Sequence, residues 1–263
     1  MDYLYKIEYR GINAGEGADL EFDPASLTKI YYVLYLLNRY SLQELKTKQL
    51  KLTRNVWSTH RKGTRKLRFS DINNSFPVYS LLEDVLQFSC NIATAMIADF
   101  AGRDNVNNFI TEDLNLQHTS VPAKGLRNIS TAAELIRTLQ LASGTGLLND
   151  EARTFLLDTM EARRTEWFLR PVLDKYFRVY SKGGTTFTGQ KRDLAIIRNR
   201  KTGEFGYVVV VDNRDIPLPA HNKLHKLQAK YRKGRLHKHL QNVESEFGEY
   251  CKNLLEKELL FSV

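Results

Sequence analysis

One short stretch constrains this chain more than any other: residues 24–29, of sequence PASLTK, which open the apolar run 30–37. The run predicts a buried helix that extends to about residue 39. Ser26 and Lys29 are three residues apart, so on a helix they share a face and the lysine amine lies beside the serine hydroxyl. A serine becomes a strong nucleophile when a neighbouring base takes its proton, and burial can turn a lysine into such a base. The stretch therefore predicts an activated serine at a helix N-terminus.

The same residues also have a purely structural interpretation. Ser26 follows Asp23 and Pro24, so its hydroxyl would cap the helix N-terminus, and Lys29 would be a solvated helix residue. A serine followed three residues later by a lysine arises about once by chance in a chain of this length. The stretch alone leaves both interpretations open, and residues downstream decide between them.

Composition narrows the class of protein. The chain has 263 residues, of which 42% are hydrophobic and 11% aromatic, enough for one large domain or two small ones with a sizeable core. No apolar run in the sequence is long enough to cross a membrane as a helix. The two cysteines, Cys90 and Cys251, are too few for a disulfide framework or a metal cluster, and we expect both to be buried free thiols. We expect neither a metal nor a cofactor.

The net charge of +9 is concentrated in two segments, residues 61–68 and residues 221–239. Basic runs can mark surfaces for nucleic acid or other anions, but more often they are solvated faces. We expect no nucleic-acid partner. An anionic polymer is the partner that the basic segment, residues 223–239, would suit.

The order of predicted elements indicates the fold class. Strands are expected at residues 3–10, 18–22, 177–181, 194–198 and 207–211, the last three as an antiparallel meander. Helices are expected at residues 26–39, 41–48, 81–86, 92–100, 105–114, 131–142, 150–160 and 243–260. Loops with short elements are expected at residues 53–78, and a polar connector at residues 117–128. Thr131 and Glu134 match a capping box at the start of their helix.

This order predicts an α+β fold. An antiparallel sheet would join the N- and C-terminal strands and pack with the amphipathic terminal helix. We expect a single domain, residues 1–263, with a sheet part of about residues 1–40 and 172–263 and an inserted helical part of about residues 41–171.

A second motif, Ser89-Cys90-Asn91, falls between two helical runs, where a connection would face a cleft. A serine hydroxyl can pass a proton, and an asparagine amide can bond both a lysine and a substrate amide. The structural alternative is that Asn91 caps the helix that follows.

A third motif, KGGTT at residues 182–186, follows the predicted strand 177–181. Its glycines, Gly183 and Gly184, let the backbone approach a ligand closely, and its lysine and threonine hydroxyls suit a carboxylate. The structural alternative is a β-bulge or turn with an exposed lysine.

Together the three motifs resemble those of the penicillin-recognising serine enzymes, and of class A β-lactamases most closely. That family carries S-x-x-K, S-D-N and K-T-G in this order, and the chain reads SLTK from Ser26, SCN from Ser89 and KGG from Lys182. The flanking sequences are similar at residues 22–25 (FDPA), 92–95 (IATA) and 125–135 (GLRNISTAAEL). The resemblance covers about residues 3–212 and the final helix, and it implies a β-lactamase-like fold.

The resemblance implies four catalytic residues. Ser26 would attack the carbonyl of a β-lactam or a related acyl-amide, and Lys29 would be the base that activates it. Ser89 would relay a proton to the leaving nitrogen, aided by Lys182.

The resemblance also implies the substrate contacts. Asn91 would hold the substrate side-chain amide, and the backbone N–H groups of Ser26 and Thr185 would form the oxyanion hole. Gly184 belongs to the same strand motif, and Lys182, Thr185 and Thr186 would bind the substrate carboxylate.

The chain departs from the family in the motifs and between them. Cys90 replaces the usual aspartate, and Gly183 replaces the usual threonine or serine. Class A enzymes also carry a loop glutamate that activates the deacylating water, whereas the connector contains no Asp or Glu. The interval between the second and third motifs is roughly ten residues short of the family.

Side chains near the connector do not replace that glutamate convincingly. Glu112 and Asp113 precede the connector on the end of a helix, and Glu166 lies well after it. A histidine can act as a base near neutral pH, but the place of His118 in a polar connector predicts a solvated role.

These features predict an active-site serine hydrolase that is acylated at Ser26 by β-lactams or related acyl-amides and is deacylated slowly. Two alternatives stay open: a penicillin-binding peptidase or esterase that acts on peptidoglycan, and a non-catalytic binding module on the same fold. We expect a monomer with a β-lactam or peptidoglycan-like substrate.

The resemblance implies an extracytoplasmic protein, periplasmic or secreted. No signal peptide is visible, since the first ten residues contain Asp2 and Glu8 and alternate like a strand. Either an export segment is missing from this sequence or the protein is cytoplasmic.

Overall fold

The computed structural model describes residues 2–60, 67–123, 125–162, 168–186, 189–214 and 235–259, with the side chains of residues 235–244 excepted. The strands in these ranges are β1 (Tyr3–Tyr9), β2 (Ile12–Glu16), β3 (Gln49–Lys51), β4 (Ser75–Pro77), β5 (Phe177–Thr185), β6 (Lys191–Asn199) and β7 (Phe205–Asp212). An antiparallel sheet has the strand order β2-β1-β7-β6-β5, and β3 pairs with β4 separately.

The α-helices lie mostly between β2 and β5. They are α1 (Lys29–Arg39), α2 (Leu42–Thr47), α3 (Arg54–His60), α4 (Val78–Phe88), α5 (Asn91–Ala101), α6 (Arg103–Asn108), α7 (Ala132–Ser143), α8 (Asp150–Glu161), α9 (Leu169–Leu173) and α10 (Arg235–Glu258). A 3₁₀ turn, Ala25–Thr28, leads into α1, and a π-helical turn, Phe109–Asp113, follows α6. No helix in the described ranges combines the length and the apolar character needed to cross a membrane.

The sheet separates two apolar cores, because successive strand residues point to opposite faces. Tyr180 and Leu194 pack with a cluster that includes α1, α4, α5, α7 and α8. Val179 and Ala195 pack on the other face, against α9 and α10. The apolar side chains of the amphipathic final helix and of the residue after it are buried there: Phe247, Cys251, Leu254, Leu255 and Leu259.

The structure confirms the α+β fold. The N-terminal strand β1 pairs with β7, and β5, β6 and β7 form the predicted antiparallel meander. The division of the chain into a sheet part and a helical part stays a prediction. The side chains of the basic segment and the basic residues 61–66 lie outside the described residues.

The predicted second strand, residues 18–22, is wrong. The strand that returns from β1 is β2, Ile12–Glu16, and Phe22 makes only an isolated bridge. Arg10 and Gly11 both have positive φ, +47° and +83°, as a two-residue hairpin turn requires. The sequence INAGE lacks a clear strand pattern and none of its residues is buried, so pairing with β1 rather than side-chain burial defines this strand.

Candidate active site

Ser26 lies in the 3₁₀ turn directly before α1, and its side chain is half-buried. Ala25 has a left-handed φ of +50°, a conformation that costs a non-glycine residue about 1–2 kcal/mol. Asp23 Oδ1 accepts the Ala25 N–H at 2.8 Å, and the Thr28 hydroxyl donates to the Ala25 carbonyl at 2.9 Å. These bonds fix the turn around Ser26. The interpretation of Ser26 as the helix cap is wrong, since Thr28 occupies the cap position of α1.

Lys29 is the first residue of α1, and only 7% of its surface is exposed. The interpretation of Lys29 as a solvated residue is therefore wrong. Its Nζ donates to the Ser89 carbonyl at 2.7 Å and to Asn91 Oδ1 at 2.6 Å. These bonds tie α1 to the junction of α4 and α5, so the first two sequence motifs meet.

The second motif turns the chain from α4 into α5. Ser89 ends α4 with a left-handed φ of +53°. Cys90 is the cap of α5, and its Sγ accepts the Ala93 N–H at 3.5 Å. The alternative of Asn91 as the cap is therefore wrong, and its amide oxygen is available to Lys29. Cys90 and Cys251 are buried free thiols, as expected.

Lys182 belongs to the interior of β5, which pairs with β6 in unbroken register along its whole length. The third motif is therefore neither a bulge nor a turn after the strand. Lys182 has no exposed surface and shares a strand face with Tyr180, which packs against the helical core. Its Nζ donates to Ser89 Oγ at 2.9 Å and to the Gly183 carbonyl at 3.0 Å.

The Ser89 hydroxyl thus lies between two lysine amines, 3.2 Å from Lys29 Nζ and 2.9 Å from Lys182 Nζ. Both lysines are buried. Burial and the nearness of a second cation disfavour a state in which both amines are charged. The arrangement can therefore supply one neutral amine as a base and one hydroxyl that passes a proton.

Gly184 allows β5 to run beside the nucleophile turn. A Cβ at this position would lie 3.1 Å from the Ser26 nitrogen and 3.2 Å from the Pro24 carbonyl oxygen. A larger residue would press on the backbone of the turn. Thr185 and Thr186 follow Gly184 at the end of the strand.

A cavity of about 540 Å³ opens at this point. The predicted site residues in its wall are Ser26, Lys29, Asn91, Thr185 and Thr186. The other three, Ser89, Lys182 and Gly184, stand behind that wall and contact its residues or one another. The structure therefore brings all eight predicted site residues together. Volume alone does not identify the site, since a cavity of about 570 Å³ between α4 and α8 holds none of these residues.

Sequence reasoning missed several residues that line the same cavity: Tyr32, His60, Thr94, Ala98, Arg103 and Asn128. Thr94 and Ala98 continue the face of α5 that begins at Asn91, so helical spacing could have identified them. Tyr32 lies three residues after Lys29 on α1, so the same spacing could have identified it. His60, Arg103 and Asn128 reach the cavity through tertiary contacts, which no local pattern signals.

A buried arginine supports the nucleophile turn from β6. Arg192 is 2% exposed, and its guanidinium donates to the Asp23 carbonyl at 2.6 Å and to the Asp212 carbonyl at 3.1 Å. Burial lowers the pKa of the Arg192 guanidinium to about 10, while Asp23 and Asp212 oppose the shift. The group therefore stays charged at neutral pH and holds the residue that binds the Ala25 N–H.

The connector contributes Pro122 and Asn128 to the cavity wall and is anchored by Glu134. Glu134 Oε1 accepts the N–H groups of Gln117 and His118 at 2.7 and 2.9 Å, and Oε2 accepts the Thr119 hydroxyl at 2.6 Å. The capping box is only half formed. The Thr131 hydroxyl accepts the Glu134 N–H at 3.1 Å, but the Glu134 carboxylate holds the connector instead of its own helix end.

Three of the side chains considered as substitutes for the loop glutamate are described, and none of the three lines the cavity. His118 is 61% exposed, and its Nδ1 lies 3.3 Å from Glu21 Oε1, as its predicted solvated role requires. Glu112 is exposed, and Asp113 pairs with Arg39 at 3.1 Å. Glu166 lies outside the described residues.

Among the described residues that line the cavity, Asp23 carries the one carboxylate. Its Oδ1 already accepts the Ala25 N–H at 2.8 Å and the Asn128 amide at 2.9 Å. This carboxylate therefore ties the nucleophile turn to the connector.

The fold and this site define a class A β-lactamase-like serine enzyme. The family model described as "Beta-lactamase enzyme family" matches residues 4–230, and the chain belongs to that family. No curated protein sequence matches the chain.

Solved structures show the same fold. A class A β-lactamase from Mycobacterium abscessus has a TM-score of 0.75 at 17% identity, over 97% of this chain and 92% of that one. An ancestral class A β-lactamase has a TM-score of 0.76 at 17% identity, over 97% and 93%. A variant of PBP-A in its acyl-enzyme complex with penicillin G has a TM-score of 0.73 at 17% identity, over 97% and 89%.

Proposed function

We propose that this chain is an active-site serine hydrolase that is acylated at Ser26 by β-lactams or related acyl-amides and releases the acyl group slowly. The observation that carries the proposal is the Ser89 hydroxyl between the amines of Lys29 and Lys182, beside the nucleophile turn. Cleavage of an amide needs a base for the nucleophile and an acid for the leaving nitrogen. These three residues can supply both.

In the acylation step, neutral Lys29 takes the Ser26 proton while Ser26 Oγ bonds to the substrate carbonyl carbon. The backbone N–H groups of Ser26 and Thr185 stabilise the negative charge that develops on the carbonyl oxygen. When the C–N bond breaks, Ser89 gives its proton to the nitrogen and regains one from protonated Lys29. The product is an ester on Ser26, and Lys29 is neutral again.

The remaining predicted residues orient the substrate in this proposal. Asn91 bonds the side-chain amide of the substrate while its oxygen stays on Lys29. Thr185 and Thr186, with the buried charge of Lys182, bind the substrate carboxylate. Gly184 allows the strand to approach Ser26 closely enough for these contacts.

The wall of the cavity supports the proposal of slow release. Hydrolysis of the ester needs a positioned base for water, typically worth 10²–10⁴-fold. The one carboxylate among the described lining residues, on Asp23, is engaged by the Ala25 N–H and the Asn128 amide. Lys29, neutral after acylation, is the group we assign to this step.

Incubation with a reporter β-lactam, followed by intact-mass measurement over time, tests the proposal. We expect a covalent adduct that forms readily and decays slowly, and no adduct in Ser26→Ala. A transient adduct with fast product release would identify an efficient β-lactamase instead. Absence of any adduct in the wild type would support a binding module.

A penicillin-binding peptidase or esterase is the second candidate. One support is the structural similarity to PBP-A, a variant of which has been solved as an acyl-enzyme complex with penicillin G. The other is that the connector contains no Asp or Glu. A peptidoglycan-like acyl-D-amino acid substrate would distinguish this candidate from a slow β-lactamase.

With either activity we propose a monomer in an extracytoplasmic compartment, and an anionic polymer stays a predicted partner of the basic segment.

A further inference from the structure

The cavity extends beyond the residues that the proposed reaction uses. The face of α5 that starts at Asn91 continues through Thr94 and Ala98, whose small side chains line the cavity. A helix rises about 1.5 Å per residue, so this face runs roughly 10 Å from Asn91 to Ala98. It forms a groove long enough for an extended side chain.

Arg103 stands at the far end of this groove. Its Nη1 donates to Asp99 Oδ1 at 2.8 Å, which places the guanidinium beside the last turns of α5. Its positive charge also acts on Tyr32, where it opposes the rise that burial causes in the pKa of the hydroxyl. A guanidinium has five N–H donors, so donors remain for a ligand. His60, at the end of α3, adds an imidazole to the same cavity.

The ion pair of Arg103 with Asp99 contributes little to the stability of the fold. The side chains of Arg103 and Asp99 are 38% and 56% exposed, and exposed pairs of this kind contribute only about 0–1 kcal/mol. The acylation chemistry uses neither Arg103 nor His60. Arg103 and His60 therefore line, without a role in that chemistry, a cavity whose described lining includes one carboxylate, that of Asp23, which already accepts two hydrogen bonds.

We propose that Arg103 and His60 form a side-arm subsite that selects acyl donors whose side chain carries a carboxylate. The inference rests on the proposed function, because Asn91 must hold the side-chain amide for the arm to enter the groove along α5. A carboxylate at the end of a short extended arm then meets Arg103, where charge-assisted hydrogen bonds recognise it. His60 donates a further hydrogen bond.

Two penicillins that differ only at the end of the side arm test this subsite. One carries an adipoyl arm, which ends in a carboxylate, and the other its neutral primary amide of the same shape. We expect the wild type to be acylated by the carboxylate form roughly tenfold more efficiently. Arg103→Gln should bring the ratio of the two rates close to one, Arg103→Lys should restore part of it, and His60→Gln should lower it less.

Two variants separate recognition from structure. Arg39→Gln removes an exposed arginine that pairs with Asp113 away from the cavity, and it should leave the ratio unchanged. Asp99→Asn removes the ion-pair partner of Arg103 but keeps the guanidinium, so the preference should persist.

Equal acylation by both probes in the wild type, or a preference that survives Arg103→Gln, would overturn the subsite while the proposed function stands. If neither probe labels Ser26, the proposed function fails and the subsite falls with it.

Discussion

The surroundings of Ser26 and the connector both contain hydrogen-bonded polar side chains, but these side chains bind different partners. Beside the nucleophile, side chains bind a side chain: the amines of Lys29 and Lys182 converge on the Ser89 hydroxyl at 3.2 and 2.9 Å. Along the connector, polar side chains bind backbone instead. Asn107 Oδ1 accepts the Val121 N–H at 2.9 Å, and its amide donates to the Val121 carbonyl at 3.1 Å.

The carboxylates near the cavity bind backbone and amide groups. Glu134 lies next to the connector, but its carboxylate accepts two backbone N–H groups and the Thr119 hydroxyl. Asp23 lines the cavity, but its Oδ1 holds the Ala25 N–H and Asn128. Acids therefore stabilise the short connector and the turn, whereas the groups suited to acylation surround Ser26. We take this as the reason to expect a reaction whose first half is faster than its second.

The largest effect on the rate of acylation is expected when Lys29 is replaced. Lys29→Ala removes the base assigned to Ser26 and two strong hydrogen bonds to the α4–α5 junction. The second-order rate of labelling by a reporter β-lactam should fall by roughly 10²–10⁴-fold. Thermal unfolding of the variant checks that the fold persists. Labelling of Lys29→Ala near the wild-type rate, or of Ser26→Ala at another serine, would contradict the assignment.

A smaller effect is expected where β5 meets the nucleophile turn. In Gly184→Val, the new side chain presses on the Ser26 nitrogen, only 3.1 Å from the Cβ position, and displaces the N–H group that we propose as an oxyanion donor. Because misplacement by about 1 Å can cost 10²-fold, we expect acylation to slow by roughly 10–10²-fold. The measurement is again the labelling rate, compared with the melting temperature. A normal rate would show that the strand and the turn move apart freely.

Local patterns predicted the fold and the motifs well, but not the contacts that support them. The helix after Ser26, the meander and the buried final helix follow from periodicity in the sequence. Arg192 binds the Asp23 carbonyl across 169 positions of chain, and no periodicity signals such a pair. The capping-box prediction for Glu134 fails for the same reason. Its spacing from Thr131 fits a capping box, but its carboxylate accepts three hydrogen bonds from the connector instead. Long-range hydrogen bonds outcompete local ones when they satisfy more donors at once.

The connector side should respond in stability rather than in acylation. Glu134→Ala removes the acceptor for two N–H groups and one hydroxyl, so the free energy of unfolding should fall by about 2–3 kcal/mol. Glu112→Ala, an exposed glutamate on the neighbouring π-helical turn, is the matched control and should change it by less than about 0.5 kcal/mol. Denaturant titration measures both. The labelling rate of Ser26 should stay close to wild type, and a large loss of labelling in Glu134→Ala would show that the two regions are coupled.

The smallest effect is expected at His118, and it decides how the acyl-enzyme breaks down. His118 is the one side chain in the connector sequence of a type that commonly serves as a general base at neutral pH. Its ring is 61% exposed and lies 3.3 Å from Glu21 on the surface, so it does not reach the ester on Ser26. In single-turnover experiments, decay of the preformed acyl-enzyme should be slow in the wild type and unchanged in His118→Ala. Glu21→Gln, which removes the surface partner of His118, should also leave the decay unchanged. Rapid turnover in the wild type that is lost in His118→Ala would mean that the connector supplies a base after all, and Lys29 would then be needed only for acylation.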